Sequence, residues 1–152
     1  MVRFYMLKNK NISHSKELFF SLLRKKKVIP SKFHYDYKGS KYFEKITKTK
    51  EYYITRIEKN ILKKIVKEIN FIFCENLTFV EFGSGSIEKI SILINKNIKY
   101  YIPLDISLDF IKQSSKKLLK LFPHLKIIPK YCDYINHINL PKNTTNTKIG
   151  FF

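Results

Sequence analysis

Leu77–Lys89 reads L-T-F-V-E-F-G-S-G-S-I-E-K, and this stretch decides the fold. Thr78–Phe82 is β-branched and aromatic, the composition of a short buried strand. Gly83, Ser84, Gly85 and Ser86 follow at once. Ile87, Ile90 and Ile94 then recur at helical spacing, predicting a helix over Ile87–Ile94. Strand, Gly-rich turn and helix in that order fit a ligand site, and by themselves equally an ordinary βα loop. The glycines let a ligand approach bare backbone, and the helix start offers free N–H groups.

The turn excludes two phosphate cradles. A dinucleotide fingerprint needs a third glycine where Glu88 stands, and a P-loop needs G-K-[ST], which is absent. Glu81 ahead of Gly83 and Gly85 instead resembles the acidic-x-G-x-G motif of class I S-adenosylmethionine-dependent methyltransferases, whose cofactor has no pyrophosphate. Downstream, K-Y-Y-I-P-L at Lys99–Leu104 predicts a second strand ending in Asp105. That is near the roughly 20-residue spacing at which α/β nucleotide sites place an acid on the ribose hydroxyls. A third apolar stretch, Leu125–Tyr131, leads to Cys132, Asp133 and Tyr134. Ligands of such sheets lie outside the carboxyl ends of the strands, so three successive strand ends offer groups to one crevice.

At 152 residues the chain is one domain by length, and 44% hydrophobic and 15% aromatic content argues against disorder. No apolar run reaches membrane-spanning length, and Phe4–Leu7 is too short for a secretory h-region. The expected location is cytoplasmic. Cys74 and Cys132 form no disulfide framework, and they and the scattered His14, His34, His124 and His137 show no metal-ligand spacing. Net charge is +18, but the lysines run through the whole chain rather than along one face. That spread reads as a solvated basic surface, with Arg24–Lys27 the one dense run, and it argues against a nucleic-acid function.

In chain order, Ser15–Leu23 predicts a helix that the lysine run and Pro30 end. Residues 31–56 are rich in aromatics: Phe33, Tyr35, Tyr37, Tyr42, Phe43, Tyr52 and Tyr53. Gly39 gives Asp36–Ser40 turn character, and a short helix is expected over Ser40–Thr47. Rings with polar ends suit a small polar ligand, and equally an aromatic mini-core. Arg56–Phe71 predicts a helix whose stripe, Ile57, Ile61, Leu62, Ile65, Val66 and Ile69, packs on the sheet. Ser107–Phe122 predicts another, with Ser107 as N-cap and Pro123 as its stop. Residues 136–147 read as polar loop, and Lys148–Phe152 as the start of a fourth strand.

Three segments taken together are specific: F-H-Y-D-Y-K-G-S-K-Y-F-E-K-I-T from Phe33, E-Y-Y-I-T-R from Glu51, and V-E-F-G-S-G-S-I-E-K from Val80. In that order they resemble the histidine-specific methyltransferase family, the S-adenosylmethionine-dependent L-histidine Nα-methyltransferases of ergothioneine biosynthesis. The resemblance runs from about Phe33 to Asp133, with a further piece at Lys148–Phe152. It implies an α/β fold of class I methyltransferase type, a Rossmann-like parallel sheet, with S-adenosyl-L-methionine as cofactor and L-histidine or a related amino acid as substrate. By resemblance Gly83, Ser84, Gly85 and Lys89 lie at the cofactor, Asp105 takes the ribose, and Asp133 and Tyr134 meet the adenine. Tyr52 and Tyr35 line the substrate pocket. Lys50 and Ile54 stand where the family has proline, and Cys132 where it has glycine.

These readings divide the chain into an N-terminal helical and aromatic segment, 1–56, and an incomplete cofactor domain, 57–152. About three strands and the start of a fourth are supplied, and the family's imidazole-reading residues belong to a later part of its sequence. The expectation is therefore an N-terminal portion of a methyltransferase. Its alternatives are a non-catalytic remnant, half of a split enzyme whose sheet a second chain completes, or a basic nucleic-acid-binding protein.

Overall fold

A computed structural model describes residues 11–72, 76–133 and 138–152. Helix α1 (Asn11–Leu23) and a 3-10 turn (Ser31–His34) precede α2 (Tyr37–Ile46) and the long α3 (Ile54–Ile72). Then strands and helices alternate: β1 (Leu77–Phe82), α4 (Ile87–Leu93), β2 (Ile98–Asp105) and α5 (Leu108–Leu121). Three short strands follow, β3 (Lys126–Ile127), β4 (Lys130–Tyr131) and β5 (Lys148–Phe151).

Every strand pair is parallel, and the order across the sheet is β3-β2-β1-β5, with β4 also on β2. This is the Rossmann-like parallel α/β sheet that the alternating apolar runs predict. The third apolar stretch forms two strands instead of one. Pro129 lies between them and has no N–H to give the ladder, while Ile128 N donates to Tyr101 O and Cys132 N to Asp105 O, both at 2.9 Å. Thus β3 and β4 continue one course along β2.

Leu77, Phe79, Ile90, Leu93, Ile98, Tyr101, Leu118 and Ile127 form one buried cluster, between the sheet and α3–α5. Val80, Ile102, Leu104 and Cys132 form another. Of the expected α3 stripe, Leu62 is buried and Ile65, Val66 and Ile69 pack on the core. Ile57 and Ile61, 48% and 51% exposed, do not. The apolar stripe is wider than the surface that this helix presents to the sheet, so its outer line faces solvent.

Gly39 is the other correction. It lies within α2, not in a turn, and Asp36 caps that helix by accepting from Gly39 N at 2.7 Å. A Cβ at Gly39 would stand 1.7 Å from the carbonyl oxygen of His34. The glycine serves close backbone approach where the 3-10 turn crosses the start of α2.

Candidate functional site

Parallel pairing brings the predicted groups to one edge of the sheet. Phe82 lies in register with Leu104, and Asp105 with Tyr131, so β1, β2 and β4 end side by side. Beyond those ends stand Gly83–Gly85, Asp105 and Asp133.

The turn after β1 is held from below. Gly83 has φ 68°, a left-handed conformation that glycine adopts without penalty. Gly83 N and Ser84 N both donate to Leu104 O, at 2.9 and 3.1 Å. The Ser84 side chain turns inward and is 3% exposed, with its Oγ 2.8 Å from the Tyr101 hydroxyl. Tyr101 donates to Glu81, a carboxylate buried in the middle of the sheet. Burial raises the Glu81 pKa, opposed by the hydroxyls of Tyr101 and Ser84 and by the charge of Lys89. Gly85 is different: nothing lies within 4 Å of a Cβ built there, although Ser114 Oγ donates to its carbonyl at 3.3 Å. The turn therefore has an anchored inner side and open space at Gly85.

Asp105 closes β2. Its Oδ1 accepts from Ser107 N at 2.8 Å. Ser107 stands before α5 as expected, but its side chain makes no capping bond. Burial lifts the Asp105 pKa from 3.8 to about 6, against the pull of the Ser107 and Ile106 backbone N–H groups. A desolvated carboxylate at a strand end marks a candidate site residue, because packing alone would favour an apolar side chain there.

Asp133 is 8% exposed, and residues near the other end of the sequence reach it. Lys32 Nζ lies 2.8 Å from its Oδ2 and 2.6 Å from Glu17 of α1. Those two acids raise the Lys32 pKa. His14 Nε2 stands 3.8 Å from the same Asp133 oxygen and 2.9 Å from the Tyr131 hydroxyl. Nothing in the local sequence signals these contacts; Lys32 and Asp133 are 101 positions apart.

Lys89 is the third residue of α4. Its Nζ is 3.4 Å from Glu58 of α3 and 5.9 Å from the centre of the Phe151 ring. In the aromatic segment, Phe43 joins the two predicted substrate residues: its ring centre is 5.9 Å from that of Tyr35 and 5.7 Å from that of Tyr52, both edge to face. Tyr37 ties the segment to α5 through a hydroxyl bond to Gln113 at 3.1 Å. Arg56 fixes the loop before Tyr52 by donating to the carbonyls of Thr49 and Lys50, at 2.7 and 2.6 Å. Tyr134, Cys74 and His137 lie outside the described residues.

Among the described residues there is no group of His, Cys, Asp and Glu able to hold a metal ion, and no helix long and apolar enough to cross a membrane. The set at the strand ends, a glycine turn with open space and two acids, suits a ligand with hydroxyls and amino groups.

Comparison with known proteins gives the family of the chain. The profile of the histidine-specific, S-adenosylmethionine-dependent methyltransferases matches residues 14–152. The histidine N-alpha-methyltransferase of Mycobacterium tuberculosis is 27% identical over 81% of this chain and 40% of its own length. That of Mycolicibacterium smegmatis is 31% identical over 74% of this chain and 36% of its own length. Ergothioneine biosynthesis protein 1 of Neurospora crassa is 28% identical over 79% of this chain and 14% of its own length. The chain thus spans well under half the length of these relatives. By its profile match and by the three strand ends it brings together, the chain belongs to the histidine-specific, S-adenosylmethionine-dependent methyltransferase family.

Proposed function

We propose that this chain forms the cofactor-binding portion and the aromatic acceptor wall of an N-methyltransferase that methylates the amino group of L-histidine in an ergothioneine-type pathway. The observation that carries the reading is the convergence of Gly83–Gly85, Asp105 and Asp133 at three adjacent parallel strand ends. Names of relatives from bacteria and a fungus support the acceptor and the pathway.

S-adenosyl-L-methionine supplies an electrophilic methyl group on its sulfonium. The residues of this chain hold and orient. Gly83, Ser84 and Gly85 present backbone to the cofactor, and Asp105 accepts hydrogen bonds from the two ribose hydroxyls. Lys89 supports the same site by pairing with Glu58 where α4 meets α3. Asp133 receives the adenine amino group beside Tyr134, and shares its carboxylate with Lys32. Tyr35 and Tyr52, set by Phe43, wall the histidine side. Their task is positioning, which supplies the larger part of the barrier reduction in a methyl transfer between bound reactants.

The sheet also has room for a further strand, from the same protein or from a second chain. Among the described residues β5 pairs with β1 alone, so its outer edge has donors and acceptors for one more strand.

Calorimetric titration with S-adenosyl-L-methionine tests the reading. The expected result is binding by the chain and a 10- to 100-fold loss in Asp105→Ala, the size of a lost charge-assisted pair of hydrogen bonds. Equal affinity in the two proteins would remove Asp105 from the site. Mass analysis of L-histidine incubated with cofactor and chain tests the acceptor.

A further inference from the structure

We propose that Tyr101 is a positioning residue for the cofactor turn: its hydroxyl, held between Glu81 and Ser84, fixes the Gly83–Gly85 backbone in its cofactor-binding shape. The inference deepens the cofactor reading and rests on it for its consequence in affinity.

Four observations combine. Tyr101 lies in the centre of β2, 2% exposed, so its ring has no freedom to swing. It pairs in register with Phe79, three residues before the strand end, yet its hydroxyl reaches both Glu81 and Ser84. A phenol has one proton. With that proton on Glu81, the bond at 2.8 Å is donated by Ser84 Oγ to the Tyr101 oxygen. Ser84 is thereby tethered by its side chain as well as by its backbone N–H, which donates to Leu104 O at 3.1 Å. Finally, Gly83 next to it takes φ 68°, which glycine adopts without itself enforcing. A glycine on each side of Ser84 makes the turn floppy by composition, so its shape has to be imposed from outside. The Glu81–Tyr101–Ser84 relay is the side-chain contact among the described residues that does so from beneath.

Phenylalanine would fill the same volume but would take a donor from the buried Glu81 carboxylate, so the hydroxyl serves the polar relay and not the apolar packing.

The test uses the whole chain with Tyr101→Phe, Ser84→Ala and the double variant. Ser84→Ala leaves the Glu81–Tyr101 bond intact and keeps the experiment interpretable if Tyr101→Phe folds poorly. Amide hydrogen exchange of the ligand-free proteins is read first. Expected is about tenfold faster exchange at Gly83 and Ser84 in each single variant, with Val80 and Ile102 in the strands unchanged, the effect of one hydrogen bond of roughly 1.4 kcal/mol. Calorimetry with S-adenosyl-L-methionine should then show about tenfold weaker binding in each, and no further loss in the double variant, because the two residues act as one relay. Unchanged exchange at Gly83 and Ser84 would overturn the relay, whatever the affinity. Altered exchange with unchanged affinity would overturn its role toward the cofactor, as would losses that multiply in the double variant. Faster exchange in the variants of a chain that does not bind the cofactor at all would leave the relay standing and overturn the cofactor reading.

Discussion

Asp105 shows how one residue can weaken the chain that carries it. Its carboxyl has a folded pKa of about 6 against an ordinary 3.8, raised by burial. The folded state therefore binds a proton that the unfolded chain releases, across about pH 4 to 6. Folding stability must fall as pH rises through that window and stay reduced above it. Two pKa units correspond to about 3 kcal/mol at most. Asp105→Asn keeps an oxygen for the Ser107 N–H and removes the charge. It should stabilise the ligand-free chain by about 1–3 kcal/mol at pH 7.5 and by almost nothing at pH 4. Urea unfolding at the two pH values checks this. A gain of the same size at both would mean that the desolvated charge is not its source. The same substitution should weaken the cofactor, the trade expected of a residue kept for binding. The place of Asp105 at a strand end was legible in the sequence because an apolar run leads up to it. Tyr101 was not, because its partners are set by strand register and not by spacing.

At the scale of elements, the sheet core was the most readable part. The runs Thr78–Phe82 and Lys99–Leu104 lie inside β1 and β2, each short of the observed bounds by a residue at one or both ends. Apolar β-branched runs between Gly-rich and polar segments have one good solution, the buried parallel strand. The misreadings have local causes. Gly39 looked like a turn because glycine usually marks one, whereas here it relieves a contact with His34 that local spacing does not reveal. Leu125–Tyr131 looked continuous because Pro129 was outweighed by its apolar neighbours. Lys32 links Glu17 of α1 to Asp133 after β4, a pairing invisible in sequence. That pair should matter far more than the pair of Lys48 with Glu44 on α2. Lys32 is 17% exposed and Asp133 7%, while Lys48 is 61% exposed at 3.6 Å from its partner. Removing Lys32 leaves a buried carboxylate undercompensated, so Lys32→Ala should cost about 1–3 kcal/mol, and Lys48→Ala under about 0.5 kcal/mol. Thermal midpoints of the two variants, measured side by side, decide it. Equal midpoints would mean that the Lys32–Asp133 pair contributes no more than a surface pair.

For the whole molecule, two features oppose each other. The chain carries +18 net charge, spread over its length. It also exposes apolar surface: Ile54, Ile57 and Ile61 form one line along α3 at 50%, 48% and 51% exposure, and β5 has an unpaired outer edge among the described residues. Like charge keeps copies apart only over a Debye length, about 10 Å at 0.1 M salt and about 3 Å at 1 M. Apolar attraction is not screened, and excluded salts strengthen it. The two terms therefore separate with ionic strength. The isolated chain should stay monomeric at low salt and associate as sodium sulfate is raised, visible as growth in hydrodynamic radius by dynamic light scattering. A nucleic-acid-binding or other polyanion-binding role for the charge predicts nothing of the kind, since no polyanion is present. Lysine at two of the exposed positions, Ile57→Lys with Ile61→Lys, should suppress the growth while shifting the thermal midpoint little, because neither residue belongs to the buried core. If the double variant still associates, the apolar line on α3 is not the adhesive surface, and the β5 edge becomes the next place to substitute. If the parent chain stays monomeric in high sulfate, the surface left outside the sheet is too small to drive assembly.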